Sequence, residues 1–310
     1  MDVQVHTINH EYDSMPAGLT WQIIGQPKTG KTTQAAQWSE RGHDGVILLD
    51  ADWGSDFARG ANVVTLSSIN APIYQVYDAE NQRYLRCDEH GVVLGPDEPD
   101  VVIPPIERGF YFRSGPQKGE PLPAYAMSEV LAWLSAQWDT LPYDTIAIDT
   151  VDEVNHWIEQ LTIDELNIYS MGDAEWGKDW SHARKRNLNI LKQFQTLIKQ
   201  KGANLVLVAH SKQTTITDDK VQLLPDIPRG LAYAVAAKAD IIGYTTMNRQ
   251  ANRPDISFKA FDERAIGSRL RPLAQKKLPF DYQVIRNEIL TYAEEDEEPQ
   301  TDDENLTQAA

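Results

Sequence analysis

The stretch LTWQIIGQPKTGKTT, Leu19–Thr33, decides the fold of this chain. Its opening, LTWQIIG, is an apolar run of strand length that ends on glycine. The octet GQPKTGKT, Gly25–Thr32, fits the spacing G-x-x-x-x-G-K-[ST], with Thr33 behind it. The spacing has a chemical reason. Glycines let the backbone curl so that N–H groups point inward around a β-phosphate, and the start of the following helix adds positive potential. Lys31 then reaches the β- and γ-phosphates, and the Thr32 hydroxyl can sit on Mg²⁺. Such a match arises by chance in about one chain of this length in a hundred at average residue usage. Here it lies between an apolar strand and a helix, the context a phosphate loop requires. Gly25, Gln26, Pro27, Lys28, Thr29, Gly30, Lys31, Thr32 and Thr33 are therefore expected to hold ATP with Mg²⁺.

Around the loop, strands alternate with helices. The spacing predicts a helix over Lys31–Glu40 that stops near Gly42, then strands at Val46–Asp50 (VILLD) and Ala61–Leu66 (ANVVTL). A helix over Met127–Trp138 and a strand at Tyr143–Asp149 (YDTIAID) follow. A long helix over His182–Gln200 leads through Gly202 into a strand at Leu205–His210 (LVLVAH), with further strands at Ala239–Thr246 and Ile256–Phe261. Near-continuous apolar strands separated by helices imply an α/β fold, a mostly parallel sheet with helices on both faces. Residues 1–292 read as one domain. Within it, 71–125 is rich in Pro and Gly, carries the short stretches IYQVY, RYLRC and GFYFR, and reads as an inserted β-rich excursion.

Two acidic positions should face the loop. Asp149 ends YDTIAID, and an acid at the carboxyl end of a strand beside the loop's own strand can hold Mg²⁺ through water or through Thr32. Its neighbour is Thr150, so the water-activating base lies elsewhere. In VILLDADWG, alternation turns Asp50 and Asp52 the same way, towards the carboxyl edge, which makes Asp52 the candidate base. The plainer reading has Asp50 end the strand and Asp52 form a turn with Gly54.

Composition narrows the class. The 310 residues, 41% hydrophobic and 24% charged, suit an ordinary soluble globular protein. No apolar run approaches the ~18 residues of a membrane span, and the start MDVQVHTINHEYD lacks the basic and apolar regions of a secretory signal. Cys87 is the single cysteine, which excludes an intramolecular disulfide and fits a reducing cytoplasm. A net charge of −17 excludes a generally basic surface of the kind that coats nucleic acid. Eight of the acids fall in Ala293–Ala310, which holds no Lys or Arg, so the rest of the chain carries −9. This segment is expected to be a disordered acidic tail, and a DNA-binding groove on the body stays open.

These residues resemble the RecA-like P-loop ATPases, which pair a phosphate loop with a following strand ending Asp-Ala-Glu. In that family the glutamate activates water, and Asp52 of Asp50-Ala51-Asp52 stands at the matching place, one methylene shorter. The family's magnesium acid followed by Ser or Thr looks like Asp149-Thr150, and its γ-phosphate sensor at the end of the next core strand looks like His210 in LVLVAHSK. More narrowly, the chain is similar to phage-encoded RecA-like nucleotide-binding proteins, a group that includes single-strand annealing and recombination proteins. The likeness is carried by GQPKTGKT, Asp52–Gly54, Trp176-Gly177-Lys178, Ala209–Lys212 and Ala265–Arg269, and spans roughly residues 18–290. It implies an ATPase acting on single-stranded DNA in phage recombination, annealing or replication, in the host cytoplasm. A homo-oligomer is implied, with a single-strand-binding or replication protein as a further partner and no membrane. The shorter Asp52 keeps open a nucleotide-dependent loader or assembly switch with little turnover. A small-molecule phosphotransferase fits less well, because it would need an arginine-rich lid.

Other positions carry two readings. His210 either bonds a γ-phosphate or simply begins a surface loop. The polar loop Lys212–Arg229 contacts single-stranded DNA in RecA-like proteins, through Lys212, Lys220 and Arg229 here; its Asp218, Asp219 and Asp226 fit a plain loop equally. Lys259, Arg264 or Arg269, the last foremost, can reach a neighbouring subunit's γ-phosphate as an arginine finger, or be solvated charges near Asp262 and Glu263. Arg108, Phe110, Tyr111, Phe112 and Arg113 suit either a base-stacking patch or a half-buried hairpin. Trp157, Trp176 and Trp180 are expected to pack between helices, and the acidic tail to compete with DNA phosphates for the groove.

Overall fold

A computed structural model describes residues 15–70, 74–87, 92–93, 116–120, 122–217, 220–259 and 266–296. The apolar runs fold as strands, in the order the chain supplies them. β1 (Thr20–Gly25) leads into α1 (Lys31–Ala35), followed by β2 (Val46–Asp50) and β3 (Asn62–Ser68). Of the β-rich excursion, the structure describes an antiparallel hairpin of β4 (Tyr74–Asp78) and β5 (Arg83–Cys87), a sheet of its own. Next come β6 (Tyr125–Ala126), α2 (Met127–Gln137), β7 (Thr145–Asp149), α3 (Val151–Leu166) and α4 (Lys178–Lys201). β8 (Asn204–Thr217) pairs back onto β9 (Lys220–Pro225), then come α5 (Arg229–Ala236), β10 (Ile241–Asn248) and β11 (Arg253–Ser257). β12 (Gly267–Ser268), β13 (Lys277–Pro279) and α6 (Tyr282–Asp296) complete the set.

The main sheet runs β13-β11-β10-β1-β8-β7-β2-β3-β6. From β10 to β6 every pairing is parallel, while β9, β11, β12 and β13 are antiparallel additions. β1, β2 and β7 are buried along their whole length, as expected of parallel strands covered on both faces. Alternation sorts their side chains into two cores. Trp21, Ile23, Leu48, Val206 and Val208 meet Trp38 beyond α1 and Ile285 and Ile289 of α6 on one face. Ile47, Leu49, Ile146, Ile148, Leu205 and Leu207 meet Leu134, Ile158, Phe194 and Leu231 of α2 to α5 on the other. Among the described residues no helix is long and apolar enough to cross a membrane.

Three elements depart from the sequence reading. The helix expected over Lys31–Glu40 ends at Ala35. The chain tightens there, with Gln37 N–H donating to Gln34 O and Trp38 N–H to Ala35 O. This drops Trp38 into the core, its ring 5.2 Å from Trp21, 5.6 Å from Tyr282 and 5.8 Å from Phe280. Burying an indole among three aromatics outweighs the weak helix propensity of one more turn. The polar loop expected at Lys212–Arg229 is instead the β8–β9 hairpin, Ser211 opposite Pro225, followed by the start of α5. Its Thr214, Thr215, Ile216 and Val221 are β-branched and suit a strand. The acidic segment from Ala293 begins as the end of α6; residues 297–310 lie outside the described residues, as do Arg108–Arg113 and Arg264.

Candidate nucleotide site

The parallel strands end at one edge of the sheet, and their registers bring the expected residues there. Gly25 lies opposite His210 on β8 and Thr245 on β10, and Asp149 lies opposite Asp50 on β2 and Val208 on β8. The strand carrying Asp149 is therefore not the neighbour of β1, contrary to the sequence reading: β8 stands between them. Thr32 spans the gap, its hydroxyl near enough to the Asp149 carboxylate to favour the charged form.

The loop itself is held by close contacts. A Cβ on Gly25 would land on the Thr245 hydroxyl, so only glycine fits. Lys28 and Gly30 take left-handed φ values of 65° and 77°, the second being the conformation that favours glycine. Thr29 Oγ1 donates to Gln26 O at 2.9 Å and lies 2.8 Å from Thr245 Oγ1, so this hydroxyl braces the loop from inside. Gln26, Pro27, Lys28 and Thr33 are exposed. α1 has only five residues, so the loop's own amides are the main donors towards an anion.

Lys31 is buried and folds back across the loop, Nζ donating to Gln26 O at 2.8 Å and Gly25 O at 3.1 Å. Burial lowers its pKa, against the pull of Asp149, Asp152 and Asp52. Asp149 is 1% exposed, and its Oδ1 has no hydrogen-bond partner among the described residues. Burial first, then Asp50 and Asp52, push its carboxyl up to about 6, against the Thr32 hydroxyl and the Lys31 charge. A buried carboxylate oxygen without a partner is costly unless a cation meets it. An orphaned anionic oxygen next to a hydroxyl is a donor set that suits a hard divalent ion, which takes few protein ligands and completes its shell with phosphate and water. Asp149 and Thr32 thus fit Mg²⁺.

The two acids after β2 separate in role. The strand ends at Asp50, so alternation does not carry on to Asp52. Ala51 N–H and Asp52 N–H both donate to Asp149 O, which ties the ends of β2 and β7 together. Buried Asp50 accepts from Gly54 N–H and Ser55 N–H at 3.3 and 3.2 Å and from Ser55 Oγ at 2.5 Å, so it builds the turn that the sequence reading gave to Asp52. Asp52 is left exposed at the sheet edge. Partial burial raises its pKa; His210 and Lys31 act against this, Asp152 and Asp50 with it.

Asp152 escaped the sequence reading. It stands in the first turn of α3 and grips His210 twice, Oδ1 taking the backbone N–H at 2.9 Å and Oδ2 lying 2.7 Å from Nδ1. The signal lay three residues beyond Asp149 in the stretch Asp149-Thr150-Val151-Asp152, but spacing alone could not tell which strand end the carboxylate would face.

Other candidates lie elsewhere. Arg269 follows β12 at the opposite, amino edge of the sheet, Nη1 donating to Asp240 Oδ1 at 2.9 Å and Nη2 to Ala237 O at 3.2 Å. It is not brought to this chain's own loop. Lys259 is exposed beyond β11, and Lys212 pairs with Asp226 at 3.1 Å. Of the tryptophans expected in packing, Trp157 meets the core, but Trp176 is 96% exposed and Trp180 41%. Left-handed backbone at Trp176 and Gly177 breaks the chain just before α4 and turns the Trp176 ring outward.

No curated protein matches this sequence. A family model described as an AAA domain matches residues 17–271, from just before β1 to the turn after β12, and so covers the whole site. With its phosphate loop, mostly parallel sheet and helices on both faces, the chain belongs to that AAA domain family, a P-loop ATPase-type domain.

Proposed function

We propose that this protein binds ATP with Mg²⁺ in the Gly25–Thr33 loop, hydrolyses it, and works as a homo-oligomer on single-stranded DNA. The observation that carries the nucleotide reading is Asp149 Oδ1, partnerless among the described residues, buried beside Thr32 and within the field of Lys31. In this reading the loop amides wrap the β-phosphate, and Lys31 exchanges the carbonyls of Gly25 and Gln26 for phosphate oxygens. Thr32 and Asp149 would hold Mg²⁺, which would neutralise charge on the phosphates. Asp52 orients a water whose oxygen bonds to the γ-phosphorus as the bond to the bridging oxygen breaks; the water's proton passes to the Asp52 carboxylate, leaving ADP and phosphate. His210, on β8 opposite Gly25 where the pairing with β1 ends, is suited to meet the γ-phosphate.

The DNA reading is supported by exposed aromatic and basic side chains around the start of α4. Tyr169 and Trp176 are 97% and 96% exposed, and Trp180 borders a cleft of about 400 Å³ with Asn155, Arg184, Pro228 and Leu231. Exposed Lys178, Arg184 and Lys185 have no ion-pair partner among the described residues. Arg184 lines the same cleft as Trp180, and an aromatic ring beside a cation suits a stacked base and its phosphate. The cleft adjoins the site, since Asp226 N–H, just before Pro228, donates to His210 O.

The test is ATP turnover with and without single-stranded DNA, beside Lys31→Ala. Turnover raised by DNA and lost in the variant is expected. Nucleotide binding without turnover in either condition would favour the loader or assembly switch, and no nucleotide binding would contradict both.

A further inference from the structure

Asp152 is a partly buried acid that the proposed mechanism leaves unused. Its two oxygens take two N–H groups of one residue, the backbone and ring Nδ1 of His210. A carboxylate that accepts from Nδ1 fixes both the rotamer of the imidazole and which nitrogen carries the proton. What remains is Nε2, which has no hydrogen-bond partner among the described residues. The groups whose charge reaches the ring are Asp152 on α3, Lys31 on α1 and Asp52 beyond β2. On its own strand, the next carbonyl contact is with Asp226 N–H, and the Asp226 carboxylate is taken by Lys212.

We propose that Asp152 is a positioning residue, which locks the His210 ring so that Nε2 is turned towards the terminal phosphate. The inference rests on the nucleotide-binding reading above and adds to it the group that sets the geometry and charge of His210. Its physical basis is that a donor aimed in advance at developing negative charge needs no reorganisation during the reaction. The Asp152 hydrogen bond favours the protonated ring and outweighs the burial that opposes it.

Asp152→Asn keeps the size and one acceptor but removes the charge. Turnover is expected to fall ~10–100-fold, the range for losing an orienting partner or one such donor, with KM for ATP changed less than about threefold because the loop is untouched. The high-pH limb of the kcat profile, where the imidazolium is lost, should move to lower pH in the variant, and Asp152→Glu should recover part of the rate. A wild-type rate and pH profile in Asp152→Asn would overturn the proposal. A second measurement does not depend on turnover: imidazole ¹⁵N NMR of the full chain, with His210 identified by its loss in His210→Gln. Nδ1 should be protonated in the free protein, and Nε2 should shift on adding a non-hydrolysable ATP analogue with Mg²⁺. A free Nδ1, or an Nε2 unmoved by analogue that has demonstrably bound, overturns the inference while leaving nucleotide binding intact. Failure of the analogue to bind at all would sink both readings.

Discussion

At the residue scale the site is organised around charges that the fold makes uncomfortable. Asp149 is the clearest case, with its carboxyl pushed up to about 6 by burial and by its acidic neighbours. A carboxyl whose folded pKa exceeds its unfolded one supports the fold only while protonated. That contribution is complete below about pH 4 and is lost as pH rises through about 6. Asp149→Asn should therefore stabilise the nucleotide-free protein at pH 8 by about 3 kcal/mol, an advantage that vanishes near pH 4. Urea unfolding at the two pH values measures this, and Mg²⁺-dependent nucleotide affinity should be lost in the same variant. Equal stabilities at pH 8 would show that the carboxylate is already satisfied. The residue types here were legible because the loop spacing admits few alternatives: Gly25, Lys31, Thr32 and Asp149 meet at one edge. Asp50 and Asp52 were harder to divide, since which carboxylate is spent on a turn depends on where the strand stops.

At the element scale, local pattern named the strands well and the helices less so. β2 was legible to the residue, because a run such as VILLD buried on both faces leaves no other assignment. α1 was overextended, since its true end is set by Trp38 meeting Trp21, Phe280 and Tyr282, the latter two far along the chain. Trp38→Ala should cost about 3–5 kcal/mol in urea unfolding, and a loss below 1 kcal/mol would deny that this cluster ends the helix. α3 went unread, although Thr150-Val151-Asp152-Glu153 carries a helix-start signature and Thr150 accepts from Glu153 N–H at 3.4 Å. In β1, Gln22 is 1% exposed with neither amide atom hydrogen-bonded among the described residues. Replacing a buried, unpaired amide by an apolar side chain of similar shape removes its desolvation cost, so Gln22→Met should gain about 1–2 kcal/mol. A lowered urea midpoint would mean that the amide finds partners in solution.

At the scale of the whole molecule, a chain of net charge −17 must confine any affinity for nucleic acid to a small area. The proposed area is the region where α4 begins, with Trp176, Trp180, Lys178, Arg184 and Lys185. Changing the three cations to alanine together should flatten the log–log salt dependence of single-strand binding by about two, at ~0.7 per phosphate contact. An unaltered slope would move the DNA to another surface. This region was not legible in the sequence, because the outward turn of Trp176 depends on left-handed backbone at Trp176 and Gly177 rather than on any periodic pattern. All of it stands on the phosphate loop, so the most direct measurement is calorimetric titration of the full chain with ATP, with Mg²⁺ and with EDTA, beside Lys31→Ala. Saturable binding in Mg²⁺, at least about tenfold weaker in EDTA and in Lys31→Ala, is expected. Heat of binding that ignores both metal and lysine, or none at all, would contradict it.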